Sequence, residues 1–209
     1  MKCIYCNHSH TYLLADKQRK CSRCKRKFSP KKIEREEKLY DYFLQTQSAR
    51  SVALKTGMHF ATVQKYFDKF RYKIALKADA LYAMHADDVD GYDEYLYLPK
   101  SLSPKKNIHK LQHFLTLSYH DKVYSIMMPK AKHSVLEQKD EEHQRLLLKY
   151  LRFNTVSKLS KSKNIITEFW SYFEEFICRY KGINDDKFIY YLKEAEWRFN
   201  LSQVRNTFK

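Results

Sequence analysis

The sequence predicts an α+β chain in three consecutive parts: a small cysteine-rich ribbon, a trihelical unit, and a short antiparallel sheet packed with helices. Three observations carry this. Two Cys-x-x-Cys knuckles lie within the first 24 residues, three segments of helical spacing follow, and a strand-and-hairpin pattern then precedes three longer helical patterns. The corresponding divisions are 1–30, 31–84 and 90–209.

The knuckles are Cys3-Ile4-Tyr5-Cys6 and Cys21-Ser22-Arg23-Cys24, and they hold four of the five cysteines. Each places two thiolates on one tight turn, and two such turns supply the four tetrahedral sulfur ligands of a closed structural Zn2+ site. The metal ligands are therefore Cys3, Cys6, Cys21 and Cys24. Fourteen residues separate Cys6 from Cys21, one short of the usual spacer of about 15–20. So short a segment has almost no core of its own, and metal ligation has to supply roughly 10–16 kcal/mol of folding free energy. The paired spacing favours zinc over disulfides or a redox motif, and His8 and His10 read as bystanders. Cys178 falls on an apolar helical face and reads as a small buried hydrophobe.

The chain has 209 residues and is 44% hydrophobic, with abundant Tyr and Phe, enough for a sizeable core. No apolar run reaches the eighteen or so residues of a membrane helix, and a cysteine knuckle stands where a signal peptide would have its apolar stretch. A cytoplasmic, nucleoid-associated protein with reduced cysteines is expected, without a membrane partner. The net charge of +16 is unevenly placed: residues 1–80 carry 19 Lys/Arg and 7 Asp/Glu, while residues 81–209 carry 21 and 17. Around the second knuckle, Lys17, Arg19, Lys20, Arg23, Lys25, Arg26, Lys27, Lys31 and Lys32 concentrate cations whose natural partner is a phosphate backbone. Double-stranded DNA is the expected partner.

After Ser29-Pro30, a helix from about Ile33 to Thr46 offers Tyr40, Phe43 and Leu44 as apolar positions. A short second helix over Ser51–Thr56 ends at Gly57, suited to a turn. A third begins near Phe60, capped by His59 or the preceding backbone, with Val63, Tyr66 or Phe67, and Phe70 inward. This is a helix-turn-helix pattern. Its third helix would put Phe60, Ala61, Gln64 and Lys65 nearest base edges and Lys69 and Arg71 nearer phosphate, with Gln64 able to pair with adenine.

Helical spacing continues to about Ala83, and the acidic, turn-rich stretch His85–Gly91 marks the next boundary. Tyr92–Leu98 reads as a strand, and His113–Tyr119 with Lys122–Met128 as a hairpin turned at His120-Asp121. Helices are expected over about Val135–Leu151, Ile166–Tyr180 and Asp186–Phe199. Phe169, Trp170, Phe173, Phe176, Ile177 and Tyr180 form one core stripe, and Phe188, Tyr191, Leu192, Ala195 and Phe199 another.

In its order of parts the chain resembles bacterial insertion-sequence transposases of the DDE superfamily, which carry a zinc ribbon and helix-turn-helix ahead of an RNase H-like domain. The carrying residues are Cys24-Lys25-Arg26-Lys27-Phe28-Ser29, Asp93-Glu94-Tyr95, Phe169-Trp170-Ser171, Tyr180-Lys181-Gly182-Ile183 and Tyr191–Asn200. The resemblance implies a reduced RNase H-like domain, recognition of insertion-sequence ends, a homodimer at paired ends, and a three-acid site for two Mg2+ or Mn2+ ions. Asp93 matches the first acid. Glu168 lies one residue beyond the position of the third, where Thr167 stands, and one residue on a helix is about 100° of rotation. The second acid is not found: Phe153–Lys161, where the family has a strand ending in aspartate, contains no carboxylate. The implied readings are a DNA-binding transposase or a transposase-derived regulator or scaffold. A DNA-binding regulator unrelated to transposases leaves the C-terminal motif unexplained.

Overall fold

The computed structural model describes residues 1–129, 141–159 and 164–207. The described residues form a mixed α+β fold with seven helices and two small antiparallel sheets. Two compact units divide within one helix, at Phe70/Arg71.

In the first unit, β1 (Thr11–Leu13), β2 (Arg19–Cys21) and β3 (Lys27–Phe28) form an antiparallel ribbon of order β1-β2-β3. Buried Cys3, Cys21 and Phe28 cluster beneath it with Ile33 against them. Helix α1 (Pro30–Leu44) starts where Ser29 accepts the Lys32 N–H and Pro30 takes the first turn, which needs no proline N–H. Helix α2 (Ala49–Thr56) is capped by Ser48 and ends at Gly57, whose φ of +67° is the left-handed conformation that glycine adopts without strain. The His59 ring accepts the Ala61 N–H at the start of α3 (Phe60–Ala83). Leu39, Phe43, Val52, Val63, Phe67 and Phe70 make the trihelical core, with Phe43 and Phe67 edge-to-face at 5.2 Å. Tyr40 and Leu44, expected inward, are exposed, and Leu39 takes the buried position instead. Leu39 and Phe43 stand four residues apart and so share the inward face of α1.

The second unit is built on a meander of β4 (Gly91–Tyr97), β5 (Gln112–Tyr119) and β6 (Lys122–Met127), with the short helix α4 (Pro104–Asn107) between the first two strands. The β5–β6 turn is two residues long, His120 at φ 44° and Asp121 at φ 56°, as a hairpin with matching strand twist requires. Helices α5 (Glu141–Leu159), α6 (Ile165–Ile177) and α7 (Asp185–Thr207) follow. Strand alternation sends Tyr95, with Phe114 and Val123, to a core containing Phe169, Phe173, Leu192 and Phe199. It sends Leu96 and Leu98 to a second cluster with Ile108 and Leu111, against which Leu146, Leu147 and Tyr150 of α5 pack. Residues 153–159, where the resembled transposases have a strand, continue α5 as helix. Cys178 is likewise not buried: it forms the C-cap of α6, and its Sγ donates to the Glu175 carbonyl. The helix stops just short of it, so the apolar periodicity no longer governs that position.

Polar side chains of α7 complete the sheet. Asn200 accepts the Val123 N–H and donates to the Val123 carbonyl, both at 2.9 Å, and Glu196 accepts the Ser125 N–H at 2.7 Å. These satisfy backbone groups on the outer edge of β6 that β5 does not reach. Two residues before Glu196, buried Glu194 accepts from Arg71 at 2.7 Å and from Arg198 at 2.9 Å. The Arg71 guanidinium also lies 4.1 Å from the Tyr191 ring centroid. Glu196 is fully buried beside Lys193, and desolvation lifts its carboxyl to about 7. Replacing Glu194 with alanine strands the Arg71 charge, and urea denaturation is expected to show a loss of about 3–5 kcal/mol. A loss below about 1 kcal/mol, the scale of an exposed pair, would contradict this account.

Candidate metal centre and nucleic-acid surface

Each knuckle turns because the residue after its second cysteine adopts a left-handed conformation, Asn7 at φ 56° and Lys25 at φ 60°. The two turns face each other. The Sγ atoms of Cys3 and Cys24 lie 3.6 Å apart, those of Cys6 and Cys21 likewise, and all four fall within 4.8 Å of one another. Four sulfurs at about 2.3 Å from a tetrahedral ion sit about 3.8 Å apart, so the cluster fits a structural zinc. Backbone N–H groups prepare the sulfurs for ligation: Tyr5 donates to Cys3, and Arg23 and Cys24 donate to Cys21. Burial alone would raise the Cys21 thiol, but these N–H groups bring it down to about 6. Cys24 goes the other way, to about 11: despite a hydrogen bond from the Arg26 N–H, burial and the three neighbouring sulfurs keep it protonated. A cation at the centre removes that conflict. His8 and His10 stay outside the sulfur cluster.

Lys25, Arg26 and Lys27 are exposed directly beside the second knuckle, the Arg26 guanidinium 5.1 Å from the Tyr5 ring centroid. On α3, Phe60, Ala61 and Lys65 are exposed at or near the N-terminus. Two other candidates are held within the unit: the Gln64 amide donates to Asp68 at 2.8 Å, and the Lys69 ammonium reaches both Glu36 oxygens at 2.7 Å. Arg71 is the clear correction. It is 2% exposed and tied to Glu194, so its guanidinium serves the interior rather than a phosphate. The sequence reading grouped it with Lys69 as a cation near phosphate, but Glu194, 123 residues on, holds it in the interior.

Asp93 is exposed on β4 and accepts the Glu94 N–H. Its cross-strand neighbour Thr116 accepts a hydrogen bond from the Trp170 indole at 3.0 Å, so Asp93 belongs to the sheet face covered by α6. Glu168 is exposed in the first turn of that helix. Thr167, the residue at the family's glutamate position, forms a reciprocal capping box with Asn164. Glu94 points to the opposite face, where Lys149 first and then His113 hold its carboxyl below the usual range. Among the described residues, two groups of side chains have metal-holding geometry, and neither includes Asp93 or Glu168. One is the sulfur cluster. The other joins His85, Asp88 and His120, which a linear reading separates into a boundary turn and a hairpin turn.

A transposase-like protein of Haemophilus influenzae, itself described as uncharacterized, is 32% identical to this chain over 60 residues. The match covers 27% of this chain and about half, 49%, of that protein. No protein-family model matches the chain, and no solved structure matches it significantly. The likeness supports a transposase-related chain and nothing finer.

The sulfur geometry predicts about one zinc per chain in freshly reduced protein. Cys21→Ser is expected to abolish zinc retention and unfold the ribbon while the second unit keeps its helical circular dichroism. Retention should also fall on acidification, since each sulfur must lose its proton to bind. Elemental analysis across these samples checks both, and a metal-free wild type contradicts the site.

Proposed function

We propose that this is a transposase-derived DNA-binding protein whose ribbon and trihelical unit engage duplex DNA, while its sheet domain serves as a scaffold without a complete strand-transfer site. The observation that carries it is the zinc-type sulfur cluster with exposed Lys25, Arg26 and Lys27 at its edge, followed by a helix-turn-helix with Phe60, Ala61 and Lys65 exposed on α3. Zinc folds the ribbon in this reading, and the cations displace counterions from phosphate. Gln64 would leave Asp68 to read an adenine edge, and Lys69 would exchange Glu36 for phosphate.

Two observations favour the scaffold role. Residues 153–159 are helical where a strand would deliver the second acid, and the Thr167 hydroxyl is committed to a helix cap. An ion held by fewer carboxylates binds weakly and stays solvated. A second reading, a metal-dependent transposase acting as a homodimer, draws on the placement of Asp93 on the face that α6 covers, with Glu168 at the start of that helix.

The full-length protein should bind duplex DNA with an affinity that falls steeply with salt. Lys25→Glu with Arg26→Glu should weaken all sequences alike, whereas Gln64→Ala should reduce discrimination more than affinity. Salt-independent binding, or none, would sink the DNA reading. With Mg2+ or Mn2+, nicking and strand-transfer assays should show no activity; cleavage that vanishes in Asp93→Ala would replace the scaffold reading with the enzyme.

A further inference from the structure

Away from the cysteines, the second unit gathers three ligating side chains from separate elements. His85 follows the end of α3, Asp88 lies on a one-turn 3-10 helix (Ala86–Asp88), and His120 occupies the β5–β6 turn. One carboxylate oxygen of Asp88 lies 2.9 Å from His85 Nδ1 and 2.9 Å from His120 Nε2, and the three donor atoms fall within 4.8 Å of one another. Neighbouring donors about 2.1 Å from an octahedral ion are about 3 Å apart, so the spacing matches a coordination edge. The rings are positioned. His85 stacks on buried Tyr119 at 5.9 Å and 26°, the imidazoles meet edge-on at 5.3 Å and 80°, and the left-handed backbone at His120 aims its ring back at Asp88. The site is open to solvent on the His120 and Asp88 side, which leaves room for water ligands.

We propose that His85 Nδ1, the Asp88 carboxylate and His120 Nε2 bind one divalent transition-metal ion of the Zn2+, Ni2+ or Cu2+ class. Two imidazoles and one carboxylate favour these ions over Mg2+ or Ca2+, which take oxygen sets. The ion would staple the segment after α3 to the tip of the hairpin. The site is independent of the cysteine cluster and of DNA binding, and its assay reads neither.

Nickel is the probe. Full-length protein is loaded with zinc, freed of excess, and titrated with Ni2+ by calorimetry, with zinc content followed by elemental analysis. One Ni2+ per chain should bind without loss of the zinc already held, and the melting temperature should rise with Ni2+ concentration. His85→Ala with His120→Ala should lose the nickel and the thermal shift while keeping the zinc and the far-ultraviolet spectrum of the wild type. Asp88→Asn should weaken nickel about tenfold or more. Absence of nickel uptake by the wild type, or uptake unchanged in the double variant, overturns the proposal and leaves the cluster a hydrogen-bonded histidine–aspartate group.

Discussion

The second unit depends on the polar side of its last helix. A three-stranded meander has two edges, and bare edge backbone is both unsatisfied and prone to pair with other chains. Asn200 and Glu196 put side-chain oxygens and an amide onto Val123 and Ser125, doing for β6 what a further strand would do. Glu194, on the same helix, neutralises a buried Arg71 that burial would otherwise make very costly. The aromatic stripe supplies hydrophobic driving force without direction; these hydrogen bonds and ion pairs set the register of the helix on the sheet. Within Tyr191–Asn200, one of the segments that carry the transposase resemblance, Glu194, Glu196 and Asn200 therefore have structural roles.

The ribbon answers a different constraint. Its core is little more than Cys3, Cys21, Phe28 and Ile33, too small to hold a fold alone, and its sulfurs crowd together in a way that calls for a cation. Positive backbone angles at Asn7 and Lys25 repeat in both knuckles, which makes them two copies of one turn. Lys25 is therefore constrained twice: its backbone shapes the knuckle, and its exposed ammonium belongs to the basic surface beside it.

Where catalytic acids are expected, local structure makes other demands. The start of α6 needs a cap, and Thr167 with Asn164 provides it. The stretch after α5's middle stays helical, because Leu146, Leu147, Tyr150 and Phe153 already pack as one face and the helix simply continues. Glu94, beside Asp93, is engaged by Lys149 and His113 on the other side of the sheet.

Much of the architecture was legible in the chain itself. Cysteine spacing marked the four thiols that cluster, Gly57 and His59 marked the turn between α2 and α3, and alternation with the His120-Asp121 turn located the hairpin, because each is a short-range geometric rule written in neighbouring residues. The fate of charged side chains was not legible. Arg71 and Lys69 are both cations of α3, yet one is buried against Glu194 and the other meets Glu36 at the surface. The gathering of His85, Asp88 and His120, and the role of Asn200 at a sheet edge 77 residues away, also arise only on folding. Periodicity reports which face of an element is apolar, but ion pairs and ligand clusters depend on which distant element arrives beside it, and that was decided by the tertiary structure alone.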